Sequence, residues 1–212
     1  IGLIIILLSA IIVIFAQHEA KAELETIFAT DANGITWRCR KGENELYDLA
    51  YTNGTLDYTN YRITIPSTIT YQGTEYTVRS IGYLGAGTTL NVSGGYSYYP
   101  AVPNSYYIRT VVLPNTLTTI NKAAFRNNSY LTTITIPGSV KYIGERAFEN
   151  CTALSNLTFE DGVEGIDTYL NFTNTALTTV TIPGSIKTTP SFSGSASLQK
   201  VICLDGVESC NL

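Results

Sequence analysis

The sequence predicts a β-rich solenoid of stacked coils behind a β-rich N-terminal cap, and three observations predict it. The first is a repeated unit of constant length: IRTVVLPNTLTTINKAAFRNNSY from Ile108, LTTITIPGSVKYIGERAFENCTA from Leu131 and LSNLTFEDGVEGIDTYLNFTNTA from Leu154. A further unit starts at Leu177, and a partial one starts at Leu198, slightly early. The second is alternation inside each unit, which places every second side chain on one face of a strand. The third is composition. Charged residues make up 14% of the chain, against about 25% in an ordinary soluble protein. Threonine, tyrosine, asparagine and glycine take their place, which favours strands and turns over helices.

The repeat resolves into inward columns. Ile108, Leu131, Leu154, Leu177 and Leu198 form one; Val111, Ile134, Leu157, Val180 and Val201 a second; Leu113, Ile136, Phe159, Ile182 and Cys203 a third. Leu117, Val140, Val163, Ile186 and Val207 follow, then Ile120, Ile143, Ile166 and Cys210, with Thr189 as the exception. One unit alone cannot bury its apolar side, but stacked units merge the columns into one core. Pro114, Pro137 and Pro183 end the first strand of their units because proline cannot donate to a ladder. A second short strand, VKYIG in the Leu131 unit, precedes a turn-rich or briefly helical segment carrying Phe125 and Phe148.

Upstream, Ile1 to Ala16 is an unbroken apolar run, and Ala20-Lys21-Ala22 fits a small-x-small cleavage site. Residues 1–22 are therefore expected to be a signal peptide truncated at its start, with an uncleaved membrane anchor as the alternative. Residues 23–60, including GITWRC and a strand near Leu46 to Thr52, form the expected cap. Residues 61–107 are expected to be an opening coil with an insertion, Gly82 to Tyr107, rich in tyrosine. Residues 108–212 carry the repeats and are expected to be C-terminally incomplete, because a last coil without a polar cap leaves its core open.

These residues match a family. LTTITIPGSVKYIGERAFENCTAL closely resembles the BspA-type leucine-rich repeat of bacterial and some protist surface proteins. YRITIPSTITYQGTEYTVRSIG, Tyr61 to Gly82, is similar to that family's opening coil. The resemblance spans about Ile35 to Leu212 and implies a leucine-rich-repeat fold with short 3-10 or helical turns. It also implies a secreted or cell-surface role in adhesion or binding, and it brings no catalytic residues. The pattern is broken at Tyr169 to Phe172, where the expected Ala-Phe pair is Leu170-Asn171, and at Pro190 to Ser197, where the unit is shortened. The late coils are expected to be less regular for that reason.

The composition narrows the chemistry. The formal net charge of -4 supplies no basic field for nucleic acid. The single histidine, His18, lies in the expected signal segment, so the mature chain is expected to have no imidazole for a triad or a zinc site. No enzyme activity, metal or cofactor is expected. The partner expected is an extracellular protein or glycan, with membrane contact only through an uncleaved signal segment or a missing anchor. A passive spacer or scaffold is the alternative.

Two surfaces are candidates for binding. The outward strand positions Thr110, Thr133, Thr135, Asn156, Thr158, Thr179 and Thr181 make an uncharged, threonine-paved sheet. Threonine's strand propensity would give the same pattern with no ligand at all. The insertion places Tyr96, Tyr98, Tyr99, Tyr106 and Tyr107 in a Ser/Gly/Asn context, the composition of adaptable binding loops. Folding back over the solenoid is the other reading of those tyrosines. Thr118, Lys141, Glu164, Lys187 and Glu208 share a column that is expected to be a charge ladder setting coil register. Asn128, Cys151 and Asn174, spaced by one repeat, are expected to line the coil from inside, with Cys151 a buried structural thiol. Cys203 and Cys210 face each other across one coil and are a candidate disulfide; the connectivity of four cysteines is not readable from sequence.

Overall fold

The computed structural model describes residues 24–54, 61–82, 101–102, 107–167, 171–186 and 190–207. β1 (Glu25–Thr30), β2 (Thr36–Lys41) and β3 (Glu45–Asn53) form an antiparallel meander. Its first turn is organised by Asp31, whose carboxylate accepts the backbone N–H of Asn33 at 2.8 Å and of Ile35 at 3.0 Å. The same carboxylate accepts the indole N–H of Trp37 at 2.9 Å, and the Trp37 ring, fully buried, meets Tyr51 edge-on. Trp37 is therefore the aromatic anchor of the cap's part of one core that continues into the solenoid.

β3 is where the architecture changes. It pairs antiparallel with β2 but parallel with β6 (Thr74–Val78) and β7 (Ser80–Ile81), so the meander passes directly into a parallel stack. β5 (Thr68–Tyr71) returns to β6 through Gln72-Gly73, both left-handed, the two-residue turn that matches hairpin twist.

The solenoid has two parallel ladders. The front sheet runs β4 (Arg62–Thr64), β8 (Thr110–Val112), β10 (Thr133–Ile136), β12 (Asn156–Phe159). Its register pairs Thr110 with Thr133 and Thr133 with Asn156, the repeat step read directly as hydrogen bonding. The back ladder joins β3, β7, β9 (Thr119–Ile120) and β11 (Tyr142–Ile143), continued by a bridge from Ile143 to Ile166. β10 stops at the residue before Pro137, and β13 (Thr179–Ile182) at the residue before Pro183. β13 pairs with β14 (Lys200–Cys203) as a separate two-stranded sheet. The front ladder is thus interrupted between β12 and β13.

The third side of each coil is a run of turns rather than a helix among the described residues. Its core is a phenyl stack: Phe125 to Phe148 at 5.3 Å, Phe148 to Phe172 at 5.8 Å and Phe172 to Phe192 at 5.3 Å between centroids. Phe172 enters one position later than the repeat step places it, and Asn171 takes the position of Ala147 and Ala124. Asn171 is fully buried there because its side-chain oxygen accepts the N–H of Ala147 at 2.8 Å and its amide donates to the Asp167 carbonyl at 2.6 Å. The departure seen in the sequence is absorbed without breaking the stack.

The expected interior column at Asn128 is corrected by the same shift of one position. Asn128 and Cys151 donate to the Phe125 carbonyl, at 3.1 and 3.0 Å, but the next member is Thr175, bonded to the Phe172 carbonyl at 2.9 Å. Asn174 belongs instead to an outer ladder, with Asn150 donating to Asn127 and Asn174 to Asn150, each at 2.9 Å. All three asparagines have positive φ, a conformation asparagine tolerates better than other side chains.

Part of the insertion lies within the stack. Ala101 and Val102 are fully buried; Ala101 donates to the Ala124 carbonyl at 2.7 Å and accepts from the Tyr51 N–H at 3.1 Å. They stand one repeat before Ala124 and Phe125, so they fill the same columns and join the cap to the first regular coil. Close coil approach also fixes glycine at position 138, where a Cβ would stand 2.0 Å from the Asp161 carbonyl oxygen.

Candidate functional site

The front sheet presents what its alternation dictates. Ile134, Ile136, Leu157 and Phe159 turn inward, while Thr135, Asn156 and Thr158 are exposed and Thr110 and Thr133 half-buried. Its β-branched floor contains a shallow depression of about 270 Å³, lined among others by Thr110, Val112, Thr133 and Thr135. Arg62 borders it at one end and Glu160 at the other. That volume falls just short of the roughly 300–1,000 Å³ of small-molecule pockets, so the depression suits part of a larger partner.

The sequence-predicted residues divide. Thr110, Thr133, Thr135, Asn156 and Thr158 share the front sheet, whereas Thr179 and Thr181 lie on the separate β13–β14 pair. Tyr96, Tyr98, Tyr99 and Tyr106 lie outside the described residues. Tyr107 is 54% exposed, and its ring centroid lies 4.5 Å from that of Tyr130. Lys141 and Glu164 form the expected ladder pair at 2.5 Å; Lys187 and Glu208 lie outside the described residues. Cys39 and Cys151 are free and buried, and burial pushes each thiol up to about 12. Cys203 is disulfide-bonded; Cys210, its expected partner, lies outside the described residues.

Sequence reasoning missed the rim of this face. Tyr61, Arg109 and Tyr130 stand at the start edge of the sheet, and the Arg109 guanidinium lies over the Tyr61 ring at 5.0 Å. Tyr107 and Tyr130 are one repeat apart, so their pairing was readable. Tyr61 and Arg62 lie outside the regular frame and come alongside only through the β4–β8 register.

Most other cations are neutralised between or within coils: Lys122 to Glu145 at 2.6 Å, Arg126 to Glu149 at 2.5 Å and Arg79 to Glu45 at 2.7 Å. Among the described residues Arg62 and Arg109 make no ion pair. Among the described residues no group of three or more His, Cys, Asp or Glu could hold a metal ion, and no helix is long and apolar enough to cross a membrane.

A profile of the BspA type leucine rich repeat region matches residues 101–211 as six copies. The chain belongs to this family. Solved bacterial structures resemble it in fold. A leucine-rich repeat protein from Bacteroides ovatus is 25% identical over 79% of this chain and 39% of its own, with a TM-score of 0.58. The pneumococcal vaccine antigen PcpA is 23% identical over 86% of this chain and 51% of its own, with a TM-score of 0.51. A Treponema pallidum leucine-rich repeat protein is 16% identical over 82% of this chain and 81% of its own, with a TM-score of 0.55. The chain spans about half the length of the pneumococcal protein and about two-fifths of that from Bacteroides. Among curated proteins none matches the chain.

Proposed function

We propose that this chain is a secreted or cell-surface binding module that engages an extracellular protein or glycan through its front sheet. The observation that carries this reading is the uncharged outer face of β8, β10 and β12, with its depression between Arg62 and Glu160. Repeat solenoids put such open sheets to use in binding extended partner surfaces. The vaccine-antigen status of the pneumococcal protein of similar fold supports a surface location. Residues 1–22 act in this reading as the export signal, 23–60 as the cap, 61–107 as the opening coil with its tyrosine insertion, and 108–212 as the repeats. The tyrosines of the insertion, Tyr96, Tyr98, Tyr99, Tyr106 and Tyr107, join the contact surface, and a Cys203–Cys210 disulfide closes the last coil.

Immobilised chain probed with a panel of extracellular-matrix proteins and mucin glycans tests the reading. Replacing Thr133 and Thr135 together by Asp should abolish whatever binding the unaltered chain gives. Unchanged binding would remove the front sheet from the interface. The coil-to-coil ion pairs and the continuous phenyl stack favour a second reading, a stiff spacer. The absence of binding to every member of the panel would favour that one.

A further inference from the structure

The front face is electrically polarised, and its rim is built from the residue types that dominate protein interfaces. Arg62 and Arg109 stand on neighbouring coils at the strand-start end. Residue 62 pairs in register with Thr110, the residue after Arg109. Neither has a carboxylate partner among the described residues, in a chain whose other described cations are mostly paired. Arg109 is held over the Tyr61 ring, which fixes the guanidinium plane in advance of any ligand. Tyr61 is 38% and Tyr130 42% exposed, so aromatic surface remains uncovered beside the two cations. Tyrosine and arginine are enriched among the residues that carry binding energy at protein interfaces.

At the opposite corner Glu160 is exposed and has no ion pair among the described residues; its carboxylate accepts the Gly138 N–H at 3.1 Å, which orients it along the edge of the depression. Between these poles lie Thr110, Val112, Thr133 and Thr135, with no charge. Register and strand spacing give the separation. Arg62 is level with Thr110, Thr133 and Asn156, and Glu160 lies four residues past Asn156. Three strand steps across and four residues along amount to about 20 Å, roughly six residues of extended chain.

We infer that the occupant of this face is an extended peptide segment of a protein partner. It carries an acidic residue against Arg62 and Arg109 and a basic residue about six positions away, a span set by strand spacing, against Glu160. This rests on the front-sheet reading above and adds the ligand's charge pattern to it. A polyanionic glycan fits less well, because its repeating carboxylates would meet Glu160.

Fluorescence polarisation with labelled twelve-residue Ser/Thr/Val peptides tests the inference. One set carries an Asp pair and a Lys pair six positions apart, in both orders; the controls are an uncharged peptide and polygalacturonate. The dipolar peptide, in one order or both, should bind about tenfold tighter than the uncharged one, the combined effect of several exposed charge contacts. Arg62→Glu with Arg109→Glu should erase that gain; both side chains are exposed, and an unchanged circular-dichroism spectrum is the check that the fold is kept. A gain that is absent, or that survives the double substitution, overturns the inference. So does tighter binding of polygalacturonate than of either peptide, or no binding of any probe. Thr133→Asp with Thr135→Asp separates the two failures. If uncharged and dipolar peptides bind alike and this variant removes both, the front sheet stands and only the charge pattern falls.

Discussion

The cap junction and the regular coils meet the same demand, joining one layer to the next, but the junction adds a buried polar cluster to the apolar core that both share. From Ile108 to Asp167 the layers are joined by apolar columns and stacked rings, with ion pairs that range from the exposed Lys141–Glu164 to the largely buried Arg126–Glu149. At the junction, Asp48 is buried at positive φ, its carboxylate accepting from Ser80 at 3.0 Å, from Asn121 at 2.7 Å and from the Arg40 guanidinium. Asn121 also donates to the Gly82 carbonyl at 2.7 Å, and the Asp48 N–H to the Ser80 hydroxyl at 2.6 Å. Cap, opening coil and first regular coil thus meet on one carboxylate. Identical layers can be joined by repetition, because any coil fits on any other. Unlike layers need a contact that only one arrangement satisfies, and a fully bonded polar cluster supplies it.

Substitutions can break each side of this contrast. Asp48→Ala leaves the Arg40 guanidinium and the Asn121 amide without their acceptor and should cost about 3–5 kcal/mol in urea unfolding, the range for breaking a buried charge pair. Asp48→Asn keeps the left-handed residue type and much of the hydrogen bonding, and should cost less. Phe148→Ala opens a hole between two rings and should cost a similar amount, about 3–5 kcal/mol. Hydrogen exchange distinguishes the two: the first should expose amides on both sides of the junction, the second those of the coils flanking Phe148. Gly138→Ala forces a Cβ against a backbone carbonyl and should cost roughly 1–3 kcal/mol in the same assay, the usual range for overpacking. Smallest of all, Lys141→Ala removes an exposed pair and should change stability by no more than about 0.2–1 kcal/mol, with the difference vanishing in high salt. A Lys141 effect as large as that of Phe148 would mean that the coils are held from outside.

The same contrast explains what the sequence could reveal. Apolar columns are legible because each inward position repeats at a fixed step, so the front and back strands, the proline stops and the exposed threonines all followed. A fixed step also misplaces anything that shifts by one. Phe172 and Thr175 reach the columns of Phe148 and Cys151 one position later than the step predicts, and Asn171 fills the place next to Ala147 by bonding to it across coils. Ala101 and Val102 went unnoticed because their columns had been assigned to a loop. The junction was invisible for a different reason. Asp48 and Ser80 lie 32 residues apart and Asp48 and Asn121 73 apart, and no periodicity links one polar residue to another. Half of the candidate face was legible as threonine alternation; its charged poles depend on the β4–β8 register, which no repeat count supplies.

The two buried thiols turn this contrast into a pair of clocks. Cys39 sits in the cap and Cys151 in the regular coils, both silent toward a thiolate-seeking reagent while closed, because burial holds them protonated far above neutral pH. Each becomes reactive only when its own neighbourhood opens, so the labelling rate of one with the other replaced by serine times that region alone. Equal rates would make cap and coils a single cooperative body. A faster Cys39 would mean that the molecule comes apart first at its polar seam, leaving the coils stacked behind it.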